Sequence, residues 1–126
     1  MMKSRSIIAK GIMNGYFTSW CWVNSDFKNI GDILFKYFCS NETVEELIRY
    51  KSILGLFLDP KDDDNTVLKG SYARLSNGIY VKYDDGVRNV VVGGLNGFIK
   101  SVPEIMKYDV EYVYIWENNG WIVYKK

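Results

Sequence analysis

Histidine is absent from this 126-residue chain, and cysteine and proline occur only twice each. Without imidazole, the commonest general base near neutral pH is missing, as is the usual activator of Ser and Cys nucleophiles. Cys21 and Cys39 form no CxxC pair, so neither a zinc site nor a redox motif assembles from them. Both read as buried thiols, and no cofactor is expected. Charge of one sign is not in excess: residues 1–63 carry eight basic and eight acidic side chains, residues 64–126 eight and seven. The electrostatic term that drives nonspecific nucleic-acid binding is therefore missing, and long nucleic acids are not expected partners. Long apolar runs are missing too. Lys10 and Gly11 interrupt the N-terminal one before signal-peptide length, and no stretch approaches a membrane span. The expected location is the bacterial cytosol, with no membrane partner.

Aromatic residues are in surplus, at 16% with ten Tyr and four Trp, against an ordinary 48% apolar and 25% charged content. The length suits one domain over residues 1–126. Asn14-Gly15 separates "SIIAKGIM" from "YFTSWCWV", and this dipeptide tolerates the positive φ angles of a two-residue turn, which predicts a β-hairpin. Apolar residues at helical spacing through "DFKNIGDILFKYF" predict a helix packed on a sheet. Thr43 and Glu46 suggest a capping box for a second helix with Val44, Leu47 and Ile48 buried, ended near Gly55. "DPKDDDNT" reads as a solvated surface loop. "GIYVKYDDG" and "VRNVVVGG" predict a hairpin or meander about Asp85-Gly86, "LNGFIKSVPEIMKYD" a third helix, and "VEYVYIWENNGWIVYKK" two strands about Asn119-Gly120. The expected fold is α+β, a mainly antiparallel sheet built from hairpins with about three helices packed on it.

Strand geometry sorts the aromatics. A two-residue turn pairs Ala9 with Trp20 and Ile7 with Trp22, which shares one face among Tyr16, Thr18, Trp20 and Trp22. Small residues opposite, Gly11 and Ala9, admit either a closely packed helix or a recess bordered by indoles. The other face, with Phe17, Ser19, Cys21, Ile8 and Lys10, is a mixture less suited to complete burial. At the C-terminus Tyr112, Tyr114, Trp116 and Trp121 share a face. Both aromatic faces suit a core, since each such side chain buries roughly 150–250 Å², and both suit a partner surface or a base-stacking platform. "VVVGGLNGF" joins a strand to a helix start through Gly93, Gly94 and Gly97, which permit close backbone approach to an anion.

Read end to end, Trp20-Cys21-Trp22-Val23-Asn24-Ser25-Asp26, Gly31 with Leu34, Glu46-Leu47-Ile48, Asp84 with Gly86, and Glu111, Tyr112, Tyr114, Trp116, Gly120 and Trp121 form a spaced series. In this order the chain resembles a family of small phage- and plasmid-encoded proteins with a Tyr-Cys-His-Trp-Asp-Gly-like N-terminal hairpin motif and a Tyr/Trp-rich C-terminal hairpin. The His-Trp-Asp-Gly stretch is replaced here by Trp22, Val23, Asn24 and Ser25. The resemblance implies no enzymatic role and a mobile-element accessory protein that counters host defences by binding. A nucleotide immune signal would use Trp20, Trp22 or Tyr80 for stacking, Gly93, Gly94 and Gly97 for phosphate, and Arg74, Arg88 or Lys82 for charge. A host defence protein would meet an exposed Tyr/Trp face, such as the hairpin of Trp116 and Trp121, or an edge strand. An immunity protein against a cognate toxin would use that second chemistry, and a small enzyme would have carboxylates alone as acid and base. Homo-oligomers are compatible with each reading.

Overall fold

The computed structural model describes residues 5–13, 16–24, 30–50, 52–63, 69–84 and 110–125. Within them a seven-stranded mixed sheet forms from β1 (Arg5–Met13), β2 (Tyr16–Asn24), β3 (Ser52–Phe57), β4 (Ser71–Arg74), β5 (Tyr80–Tyr83), β6 (Tyr112–Glu117) and β7 (Gly120–Lys125). Two helices, α1 (Ile30–Tyr37) and α2 (Asn41–Ile48), lie between β2 and β3. The strand order is β4-β5-β3-β2-β1-β6-β7. β1/β6 and β2/β3 pair in parallel and the other four pairs are antiparallel. Parallel neighbours need a long crossover, and the two helices supply it between β2 and β3.

The expectation of about three helices packed on a sheet does not hold. Strands dominate, and the described residues carry two α-helices of eight residues each. The third predicted helix, residues 95–109, lies outside the described residues, as does the turn proposed at Asp85-Gly86. The second arm of that hairpin or meander, residues 87–94, also lies outside the described residues. "GIYVKYDDG" supplies β5, which pairs with β4 and β3. A turn through Ser76, Asn77 and Gly78 makes the β4–β5 connection, closed by Leu75 N–H to Ile79 O at 2.8 Å and Gly78 N–H to Leu75 O at 2.9 Å. Gly78 has φ 86°, a conformation that side chains disfavour and glycine accepts. Gly55 does not end the second helical region but lies inside β3.

The N-terminal hairpin has the predicted register, Met13 opposite Tyr16, Ala9 opposite Trp20 and Ile7 opposite Trp22. The covered face is the unexpected one. Ile30, Leu34 and Phe38 and the α2 stripe Val44, Leu47 and Ile48 form one core with Ile8, Cys21, Val23, Ile53, Leu56, Val81, Tyr114 and Trp116. Cross-strand partners share a face, so the mixed Ile8/Cys21 side carries the helices, and positions 20 and 22 fall on the opposite side. Lys10 stays tolerable at the border of this core because its ammonium pairs with Glu45 of α2. The opposite face is also buried at its centre, where Ile7, Ala9, Val113 and Ile115 are at most 1% exposed.

Local hydrogen bonding explains where the helices begin and end. The capping box of α2 uses Ser40 with Thr43, one turn earlier than the predicted Thr43/Glu46 pair. Ser40 Oγ accepts from Thr43 N–H at 3.2 Å, and Thr43 Oγ1 accepts from Ser40 N–H at 3.3 Å. Ser40→Ala is expected to lower stability by about 1 kcal/mol, read as a shifted urea midpoint at unchanged slope. The last α1 carbonyls are satisfied in turn: Cys39 Sγ–H donates to Phe35 O at 3.2 Å, Asn77 Nδ2–H to Tyr37 O at 2.9 Å and Trp121 Nε1–H to Phe38 O at 2.9 Å. Cys21 is buried as expected, whereas Cys39 is exposed and acts at this helix end. None of the described helices is long and apolar enough to cross a membrane.

Candidate functional site

The β4–β5 end of the sheet presents an aromatic and cationic surface on the face away from the helices. Tyr72 pairs with Lys82 and Arg74 with Tyr80 across the strands, while Gly55 and Phe57 of β3 pair with Lys82 and Tyr80. Ala73, Leu56 and Val81, the alternate positions, face the helical core. At Gly55 an added Cβ would come within 2.7 Å of the Phe57 ring, so only glycine leaves that ring its place across the strand. Phe57 in turn lies 6.4 Å from Tyr72, centroid to centroid.

Beneath Tyr72 sits an ion pair. Lys82 Nζ donates to Asp63 Oδ2 at 2.7 Å, with side chains 4% and 6% exposed. The Tyr72 hydroxyl donates to the same carboxylate oxygen, and Lys82 Nζ is 5.8 Å from the Tyr72 ring centroid. Asp59, Lys61 and Asp62 are exposed, as expected of a surface loop, and residues 64–66 lie outside the described residues. The departure from a solvated loop is Asp63 alone. Asp59 caps a single 3-10 turn, Pro60–Asp62, by accepting from Lys61 N–H at 2.9 Å. The turn then delivers Asp63 inward. The physical cause is Lys82, whose buried ammonium needs a counter-charge, and Asp63 supplies it.

The pair immobilises an exposed residue. Tyr72 is 42% exposed, yet its ring and hydroxyl are both held from below. Arg74 is exposed as well, its guanidinium 5.9 Å from the Tyr80 centroid. The hairpin carrying them is fastened to the helices: Glu46 Oε1 accepts from Ser76 N–H at 3.0 Å and from its hydroxyl at 2.8 Å, and Asn77 reaches Tyr37 O. A Tyr/Arg surface prepared in this way loses little side-chain freedom on binding.

Hydrogen bonding to the Asp63 carboxylate, with smaller contributions from burial and from the charge itself, pushes the Tyr72 hydroxyl up to about 12 from an ordinary 10.0. Burial, with lesser effects of Tyr112, Glu111 and Asp32, does the same for Tyr114. A folded-state value above the unfolded one means stability present in full below pH 10 and lost as pH rises through about 12. Urea midpoints are thus expected to fall between pH 10 and 12, less steeply in Tyr72→Phe. Tyrosinate absorbance checks the assignment: titration of every tyrosine near pH 10 would contradict it.

Of the residues singled out from the sequence, Arg74, Tyr80 and Lys82 meet on this surface, although Lys82 faces Asp63 rather than solvent. Register places positions 20 and 22 on the same face, two strands from β5 or roughly 10 Å. Trp116 and Trp121 are elsewhere, on the helix-covered face. Trp116 is 3% exposed and donates from Nε1 to Asn41 Oδ1 at 2.8 Å, and Trp121 packs edge-on against it at 5.3 Å. Trp116 therefore belongs to the core. Arg88, Gly93, Gly94 and Gly97 lie outside the described residues. Tyr72 and Asp63 were missed. The Ser-Asn-Gly at 76–78 is a turn signal that would have paired Tyr72 with Lys82; nothing local marks Asp63 as the counter-charge.

Comparison with protein-family models, curated proteins and solved structures finds no match to this chain.

Proposed function

We propose that this chain acts by binding rather than catalysis, and that its Tyr72, Arg74 and Tyr80 surface docks on a protein partner and occludes it. The observation that carries the reading is Tyr72, exposed on its outer side and fixed from below by Asp63, Phe57 and Lys82. Tyrosine and arginine are the residue types that dominate interface energetics, and fixing them in advance favours association. In the setting implied by the phage and plasmid resemblance, the partner is a host defence protein, and the chain is a cytosolic counter-defence protein. An immunity protein against a cognate toxin would use the same surface on a different partner.

A nucleotide ligand is less well supported, because the Lys82 ammonium meant for phosphate is directed at Asp63. Acid–base chemistry on carboxylates alone is likewise disfavoured at Asp63, whose charge is matched by Lys82. Quantitative pull-down from host cells tests the proposal. One protein is expected at fixed stoichiometry on the wild type, with affinity about thirtyfold weaker for a Tyr72→Ala/Arg74→Ala variant, compared at a temperature where circular dichroism shows both chains folded. Heat denaturation of the purified protein followed by mass spectrometry provides the opposing result: a released nucleotide, with no retained protein, would overturn the occlusion reading.

A further inference from the structure

We infer that two copies of this chain join through antiparallel pairing of their β7 strands, which continues one sheet across a twofold axis. Among the described residues β4 and β7 end the sheet, and the two edges are unlike. β4 has four residues, with an arginine at its end. β7 has six, and Ile122, Val123 and Tyr124 in succession are 42%, 40% and 42% exposed. An apolar, regular edge strand of this length is a template for another strand.

The hairpin dictates which backbone groups that template offers. Asn118 and Asn119, at φ 53° and 59°, form a two-residue turn closed by Glu117 opposite Gly120. The closing pair of such a turn exchanges both hydrogen bonds, and bonded pairs then alternate. Gly120, Ile122 and Tyr124 therefore bond to β6, and the N–H and C=O groups of Trp121, Val123 and Lys125 point to the outer edge.

The register these groups allow suits a second copy of the strand. With Val123 on the axis opposite its own copy, Trp121 faces Lys125 on both sides, and all three outward residues of each strand take part in six hydrogen bonds. Shifting by one bonded pair in either direction engages fewer. The same register sets Ile122 against Tyr124, an aromatic and β-branched pair, on the other face. Charge agrees with it. Lys125 is the charged residue of β7, and its ammonium lies over the Tyr112 ring of its own chain, 5.8 Å from the centroid. In this register its copy lies roughly 14 Å away along the strand, so no like charges meet.

Sedimentation equilibrium on the intact chain tests this. The expected result is twice the chain mass for the wild type. Val123→Lys puts like charges opposite each other on the axis, so its dimer dissociation constant is expected to rise by at least about tenfold with an unchanged circular dichroism spectrum. Mixing Val123→Lys with Val123→Glu is expected to restore a dimer as the heterodimer. A wild type that stays monomeric, a Val123→Lys variant that dimerises as well as the wild type, or a mixture that stays monomeric would each overturn the proposal. So would a monomer that holds a different protein along β7.

Discussion

Replacing Asp63 with alanine is expected to lower stability by about 3–5 kcal/mol, a large part of what a domain of this size possesses. The loss follows from what remains. Lys82, 4% exposed, would lose the carboxylate it pairs with in a site from which water is largely excluded. Tyr72 would lose the acceptor that holds its hydroxyl. Deleting the pair together should be far milder, because no buried charge is left without its counterpart. In Asp63→Ala/Lys82→Met, the methionine also refills the space of the lysine stem. The difference between the single and double variants, read from urea midpoints, is the checkable quantity. A loss below about 1 kcal/mol for Asp63→Ala alone would place the pair in solvent and remove the support beneath Tyr72.

Trp116→Ala carries the next largest expected loss, about 3–5 kcal/mol. This indole is 3% exposed, packs edge-on against Trp121, and ties β6 to the first residue of α2 through Asn41. Truncation leaves a cavity between sheet and helix, and Trp121, which satisfies the end of α1, loses its neighbour. Trp116→Phe separates packing from polarity. It keeps most of the ring but removes the Nε1–H donor, so about 1–2 kcal/mol is expected. Thermal unfolding followed by far-ultraviolet circular dichroism checks both variants without relying on indole fluorescence. Equal losses for Ala and Phe would assign the effect to the hydrogen bond rather than to the packed volume.

What could be read in advance follows the range of the interactions. The register of β1 and β2 was legible because a two-residue turn leaves little freedom, and the Val44, Leu47 and Ile48 stripe because helical periodicity is local. The shared face of Tyr112, Tyr114, Trp116 and Trp121 survived even though the turn sits at Asn118-Asn119 rather than Asn119-Gly120. Moving a turn by one residue shifts each cross-strand partner by two, which keeps every side chain on its face. The parallel pairings of β1 with β6 and β2 with β3 have no local signal. Nor does the side of the sheet on which α1 and α2 lie, which made Ile8 and Cys21 core and left positions 20 and 22 on the face shared with Tyr80 and Arg74. Asp63 and Lys82 meet across 19 residues, and nothing local separates Asp63 from its exposed neighbour Asp62 until the buried ammonium is known.

Under the proposed function, Tyr72, Arg74 and Tyr80 form the surface that meets a protein partner. Hydrogen exchange of the chain with and without the partner retained in pull-down measures this most directly. Slowed exchange is expected in the β4–β5 hairpin, residues 71–83, and in the Pro60–Asp62 turn beside it, with β6 and β7 unchanged. Slowed exchange elsewhere, with β4 and β5 as fast as in the free chain, would contradict it.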